Sequence, residues 1–177
     1  SLVRYAFNPW INIVITTLVI LGGLGYQVIM EIFMWLRDRV RRRRKRQVFS
    51  LNFKIATSTT VALLILGTVA LFAAEFKNPP TLGGVSVGSK LLLAWFQSVV
   101  TRTAGFNSVD FGAMENASLF IVIAFMFIGA NPGSTGGGVK TTTIRTLLTC
   151  TRMVLQGKEE VLLYQRQIPA SRVLKAI

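Results

Sequence analysis

The sequence has no histidine and a single cysteine, Cys150. The first absence removes the commonest general base and metal ligand, and the second excludes a disulfide within the chain. Acidic residues are scarce as well, 7 Asp and Glu among 177 residues, so carboxylate-based catalysis has few groups to draw on. Charged residues make up only 15% against 51% hydrophobic, with a mean hydropathy of +0.53. That balance is too apolar for an ordinary soluble domain of this length. The expectation is an all-α integral membrane protein that is not an enzyme and binds no cofactor of its own.

What charge there is lies unevenly. Lys and Arg number 20 and the formal charge is +13, which alone suggests nucleic acid or an anionic membrane surface as partner. Eight of the cations fall between Arg37 and Arg46, directly after a long apolar run. This is the layout of a membrane protein with a basic cytoplasmic loop and the lipid bilayer as its surroundings, and it leaves nucleic acid without a role. The first apolar segment has neither a basic n-region nor a small-residue cleavage site to mark a signal peptide. With Ser1 in place of an initiator Met, the chain is expected to be a piece of a longer one.

Three spans and one half-span follow from the apolar runs. A helix needs roughly 20 apolar residues to cross the hydrocarbon core. The uncharged residues 5–30 meet that length as one tilted span, with Pro9 in its first turn and Trp10 near one interface. Residues 55–74 return the chain to the outside, where Glu75 and Lys77 mark the interface and Pro79 and Pro80 end the helix. Residues 91–101 are apolar but too short to cross, and Ser86 or Ser89 offers an N-cap. Such a segment reads as a re-entrant helix. Residues 116–139 are again long enough, and the basic residues from Lys140 onward face the cytoplasm. This third run carries four glycines and a proline between Asn131 and Gly138. Counted from Ala113, the interruption falls nearly 30 Å into the helix at about 1.5 Å per residue. A second amphipathic helix is expected from about 139 to 156, and Pro169 and Ser171 offer a cap for another in the tail.

Two glycine-bearing loops carry the chemistry. A potassium ion sheds its water only where a ring of oxygens replaces it, and the carbonyls of a re-entrant loop do so without a fixed charge that traps the ion. Thr103, Ala104, Gly105, Phe106 and Asn107 have the features required. Gly105 permits a positive φ, Thr103 adds a hydroxyl, and Phe106 can wedge the loop against supporting helices. The helix before the loop directs its negative C-terminal end toward the cation path. Arg102, beside it, is read as facing away from the path and supporting the filter, since a fixed cation there opposes permeation.

The strings Thr101-Arg102-Thr103-Ala104-Gly105-Phe106-Asn107 and Pro132-Gly133-Ser134-Thr135-Gly136-Gly137-Gly138-Val139-Lys140 resemble the third pore unit of bacterial Ktr/Trk potassium transporters, of the Trk/Ktr/HKT superfamily, above all the Ktr membrane subunit. Leu21-Gly22-Gly23-Leu24-Gly25-Tyr26 is similar to the closing helix of the second unit. The resemblance implies four units around one pore of approximate fourfold symmetry, of which this chain holds one and the end of another. By that likeness residues 1–36 are the closing helix of the preceding unit and 37–53 a basic connector. Residues 54–156 are a complete unit: outer helix 54–76, pore helix and filter 86–107, broken inner helix 111–156. Residues 157–177 are a cytoplasmic connector.

The same likeness makes Thr103, Ala104, Gly105, Phe106 and Asn107 a quarter of the selectivity filter, with K⁺ at Thr103, Ala104 and Gly105. Gly133, Ser134, Thr135, Gly136, Gly137 and Gly138 become an intramembrane gating loop, which Lys140 helps to hold. K⁺ is the implied transported ion, with Na⁺ a further candidate, at the bacterial plasma membrane. The implied partners are the remaining pore units of the parent chain, a second copy in a membrane homodimer, and a cytoplasmic nucleotide-binding regulatory subunit.

Two other readings stand beside this one. Gly133 and Gly138 have the spacing of a phosphate-binding loop, which would make the chain a nucleotide-dependent membrane protein. Val139, however, occupies the place of the required Lys. A non-conducting assembly subunit is the third. Gly22, Gly23, Gly25 and Gly67 are read as sites of close helix packing.

Overall fold

A computed structural model describes residues 2–41, 49–102, 104–156, 162–163 and 166–167. Thr103, residues 42–48 of the basic run and most of the tail, with Pro169 and Ser171, lie outside the described residues. Among the described residues the fold is helical apart from one two-residue ladder, β1 (Leu162–Leu163) against β2 (Arg166–Gln167), antiparallel with Leu162 opposite Gln167, and an isolated parallel bridge between Ile128 and Val139.

Helix α1 (Pro9–Leu24) begins where Asn8 accepts hydrogen bonds from the backbone N–H groups of Trp10 and Ile11, at 3.1 and 3.3 Å, and Pro9 fills the first turn. The first span is not one helix. It breaks at Gly25, and α2 (Tyr26–Val40) leaves at 104° to α1. Gly25 has φ +82°, ψ 150°, a conformation open in practice to glycine alone, which is why the break falls there. Apolar composition reports burial in lipid and is silent on such a bend. Arg37 and Arg39 occupy the last turn of α2, where cations suit the helix dipole.

Helix α3 (Leu51–Glu75) starts four residues before the apolar run that marks it, because Ser50 caps it by accepting the Phe53 N–H at 3.0 Å. The Glu31 carboxylate accepts the Ser50 N–H at 3.0 Å and thereby fixes the end of the basic connector against α2. Among the described residues α3 is the one unbroken helix long and apolar enough to span a membrane alone, and α1 with α2 passes only as a bent pair.

Helix α4 (Val87–Val100), capped by Ser86, is the half-length helix. It packs on α3 and is buried through most of its length, with Phe96 fully buried. The contact is close enough to need glycine: the Ser98 hydroxyl donates to the Leu64 carbonyl at 3.0 Å, and a Cβ at Gly67 would lie 2.4 Å from that hydroxyl oxygen. At Gly67 the packing reading is therefore observed directly. The cluster of Ala6, Leu82, Leu93, Ala94, Val109 and Met114 closes the outer end, and Leu24, Val28 and Ala56 form a second cluster at the α1–α2 break.

Helix α5 (Asn116–Phe127) is shorter than the apolar run containing it. Its 12 residues rise about 18 Å at 1.5 Å each, so the interruption comes well before the depth expected from sequence. The glycines and Pro132 are not what ends it. Backbone pairing between the two ends of the following loop competes for the amides first. After that loop, α6 (Thr141–Leu155) resumes with Lys140 as N-cap.

Candidate functional site

The C-terminal end of α4 delivers the chain into the turn at residues 104–107. Thr101 caps it with its hydroxyl on the Ser98 carbonyl at 2.9 Å, and the Ala104 N–H donates to Val100 O at 3.1 Å. Gly105 has φ +77°, and nothing lies within 4 Å of a Cβ built there. Its requirement for glycine is conformational, not steric. Beyond it, the Asn107 carbonyl accepts the Leu2 N–H at 2.8 Å, and the Asn107 side chain donates to Val109 O at 3.3 Å. Gly105 and Phe106 are exposed in this chain. Phe106 is thus not wedged between helices of the described residues, and its outer side is left uncovered.

Arg102 is buried at 8% exposure. Its Nε and one terminal nitrogen have no hydrogen-bond partner among the described residues. It lines a cavity of about 290 Å³ together with Leu18 and Gly22 of α1, Ala104 and Phe106 of the turn after α4, and Thr135 and Gly136 of the glycine-rich loop. One pocket thus brings Arg102 together with residues of both loops.

The glycine-rich loop is fastened at its base and at its tip. At the base the Gly129 N–H donates to Val139 O at 3.1 Å, Ala130 N–H to Gly137 O at 3.2 Å, and Val139 N–H to Phe127 O at 3.0 Å. A Cβ at Gly129 would fall on the Gly137 carbonyl, so the two backbones meet at a distance only glycine allows. Lys140 Nζ donates to the Gly136 carbonyl at 2.9 Å. At the tip, Asn131 N–H donates to Gly23 O at 3.2 Å, Thr135 N–H to Gly22 O at 3.3 Å, and Tyr26 N–H to Gly133 O at 3.2 Å. Gly133 and Gly138 both take positive φ, +71° and +78°. The loop follows a helix, where a phosphate-binding loop follows a strand, and its lysine is occupied by the loop's own carbonyl.

Gly22 and Gly25 thus do something the packing reading missed. Gly22 and Gly23 offer carbonyls to the loop, and a Cβ on Gly25 would lie 2.6 Å from Pro132 O. The feature that could have exposed this is the repeated glycine near the end of an apolar run, which equally describes plain helix contact.

Two further polar groups escaped the sequence reading. Glu75, taken as an interface marker, is 1% exposed. Its carboxylate accepts from Asn78 Nδ2 at 2.6 Å, from the Thr81 hydroxyl, and from the Glu115 N–H at 2.9 Å. It therefore joins the end of α3 to the start of α5 across the loop that leads into α4. Asn131 is fully buried, donating through Nδ2 to Thr60 Oγ1 at 3.1 Å and accepting the Thr141 hydroxyl.

Residues 1–176 match the profile of the TrkH family, described as cation transport protein. This chain belongs to the TrkH family. It is 37% identical over its whole length to the Ktr system potassium uptake protein B of Bacillus subtilis (strain 168), and 34% identical to the protein of that name from Vibrio alginolyticus. It is 36% identical to the potassium/sodium uptake protein NtpJ of Enterococcus hirae. The chain spans 38% of the length of the first two and 37% of the third. In fold it is similar to the crystal structure of the potassium transporter TrkH from Vibrio parahaemolyticus, with a TM-score of 0.72 at 19% identity, over 96% of this chain and 35% of that one.

The TrkH family is one of membrane cation transporters, not of enzymes, and the all-α helix, re-entrant loop and broken-helix arrangement is its fold. The broad exposed apolar faces of α1, α3 and α5, with Ile13, Leu18, Ile65, Leu66, Phe120 and Ile123 uncovered, fit a chain seated in a bilayer as part of a larger assembly.

Proposed function

We propose that the chain supplies one complete unit, and the closing helix of the unit before it, of a gated pore for potassium uptake across the bacterial inner membrane. The observation that carries the proposal is the aim of α4. A buried helix of 14 residues, too short to span, ends at an exposed turn whose Gly105 takes φ +77°. That arrangement brings the negative end of a helix dipole and a run of backbone carbonyls to one place without adding an anionic side chain. Residues 103–107 then form one quarter of the filter, and residues 133–138 with Lys140 the gate. The proposed bounds of the units are those expected from sequence, with the outer helix starting earlier, at Leu51.

Potassium uptake is what the two Ktr relatives are named for, and NtpJ is named for potassium and sodium. Those names support K⁺ as the cargo and keep Na⁺ as a second cation to test. The remaining units of a longer chain, a second copy in the membrane and a nucleotide-binding cytoplasmic subunit complete the proposed assembly. The test is uptake of ⁸⁶Rb⁺ and ²²Na⁺ into proteoliposomes holding the full-length parent. Gly105→Ser is expected to lower the Rb⁺ to Na⁺ ratio, and deletion of residues 136–138 to raise flux of both. Unchanged flux and selectivity in two folded variants would refute both assignments.

A further inference from the structure

The glycine-rich loop and Asn131 at its start touch four helices, of which α3 and α6 belong to its own unit and α1 and α2 to the preceding one. On that side, residues 22–26 at the α1–α2 break present two carbonyls and one N–H to the loop tip. On the other side a single side chain holds the loop in register with that surface. Asn131 is fully buried, and its amide reaches Thr60 in the middle of α3 with one end and Thr141 in the first turn of α6 with the other. Its own N–H goes to Gly23, and its carbonyl accepts the Ser134 N–H at 3.2 Å. Both ends of the Asn131 amide, its N–H and its carbonyl are thereby engaged at one point.

We infer that the break at residues 22–26 of the preceding inner helix is the seat on which the gating loop rests when closed, and that Asn131, held by Thr60 and Thr141, is the positioning residue that keeps the loop on that seat. The inference rests on the gate reading above and goes beyond it, because it locates the closed contact on another unit and names residues outside the loop that set the open–closed balance. Thr60 lies 71 positions before Asn131, and its hydroxyl meets the loop through the Asn131 amide. Its influence on the loop tip therefore passes through Asn131.

The physical expectation is a shift in population. If the Asn131–Thr60 bond exists when the loop is seated and is lost when it lifts, removing it raises the open-to-closed ratio by about threefold, the usual worth of one side-chain hydrogen bond between helices in a membrane. A change of helix stability alone alters yield and leaves that ratio untouched.

The experiment is ⁸⁶Rb⁺ and ²²Na⁺ flux through the full-length parent in proteoliposomes, with Thr60→Val, Thr60→Ser and Asn131→Leu, each made in the wild type and in the variant lacking residues 136–138. Thr60→Val keeps the shape of the side chain and removes the acceptor. It is expected to raise basal flux about threefold with the Rb⁺ to Na⁺ ratio unchanged, while Thr60→Ser, which keeps the hydroxyl, stays at the parental level. Asn131→Leu is expected to raise flux further. In the deletion background all three are expected to be silent, because without residues 136–138 the loop they position no longer reaches across the pore. If the deletion raises flux while Thr60→Val and Asn131→Leu leave it unchanged, the seat inference is overturned and the gate reading survives. If the deletion itself has no effect on flux, the gate reading falls first.

Discussion

Replacing Gly67 with alanine tests whether the α3–α4 contact sets the position of the filter. The new Cβ would lie 2.4 Å from Ser98 Oγ and 3.1 Å from a ring carbon of Phe125. Ordinary van der Waals contact begins near 3.4 Å, so one of three things must give. Ser98 can rotate away, losing its bond to the Leu64 carbonyl, which within a membrane is worth about 0.6 kcal/mol and at most about 1.7. The helices can part locally by about 1 Å, which loosens a packed contact at a cost of about 1–3 kcal/mol. Phe125 must shift in either case. By either route, with the Phe125 shift, the loss is about 1–3 kcal/mol, read as a lower melting temperature of the full-length parent in detergent. A drop in Rb⁺ over Na⁺ selectivity should accompany it, since α4 carries residues 104–107. The double variant with Ser98→Ala separates the causes. Removing the hydroxyl clears the 2.4 Å clash and should restore about 1 kcal/mol relative to the sum of the single effects. An alanine at 67 that leaves stability unchanged, or that costs the same with and without the Ser98 hydroxyl, refutes the reasoning.

Other outcomes follow from the same contacts. Glu75→Ala should cost on the order of 3 kcal/mol of stability in the same melting assay, because it strands the buried Asn78 amide, the Thr81 hydroxyl and the Glu115 N–H together. Glu75→Gln should lose roughly half as much; a glutamine as stable as the parent would show that the carboxylate's charge contributes nothing, and a loss equal to that of alanine would show that a neutral amide replaces none of it. Within the gating loop, Gly129→Ala should abolish closure or folding, since its Cβ falls on the Gly137 carbonyl, while Gly137→Ala, which meets nothing within 4 Å, should leave yield and flux close to those of the parent. Similar behaviour of these two alanines in a flux and yield assay would mean the loop base is not paired as described.

The residues that show how far sequence carries are those where composition and conformation part company. Apolar runs found the helices because lipid demands apolar surface along any span, and the short run ending at Thr101 stood out by its length. Glycine was harder to read. At Gly105 the local string and its place after a half-length helix predicted a turn, and φ +77° is what the chain has there. At Gly25 the same residue type sits inside a long uncharged run, and hydropathy has no term for a left-handed dihedral, so a span of residues 5–30 was the natural expectation and a 104° break the outcome. Asn131 and Glu75 illustrate a second limit. Each is an isolated polar residue at the end of an apolar stretch, where sequence offers water as the default partner. Their actual partners lie up to 71 positions away, and nothing local encodes that distance.

This difference bears on how the pore would work. A gating loop read from sequence is a property of six consecutive residues, 133–138, and Lys140 beside them. In the structure its resting position depends on Gly22, Gly23 and Tyr26 before it, on Thr60 opposite it and on Thr141 after it. The break at Gly25 joins that position to α2, which runs from the seat toward Arg37 and Arg39 and the start of the basic connector. The connector therefore meets the loop by two routes, through the 15 residues of α2 to the break at Gly25 and through the first ten residues of α3 to Thr60, whose hydroxyl accepts from Asn131.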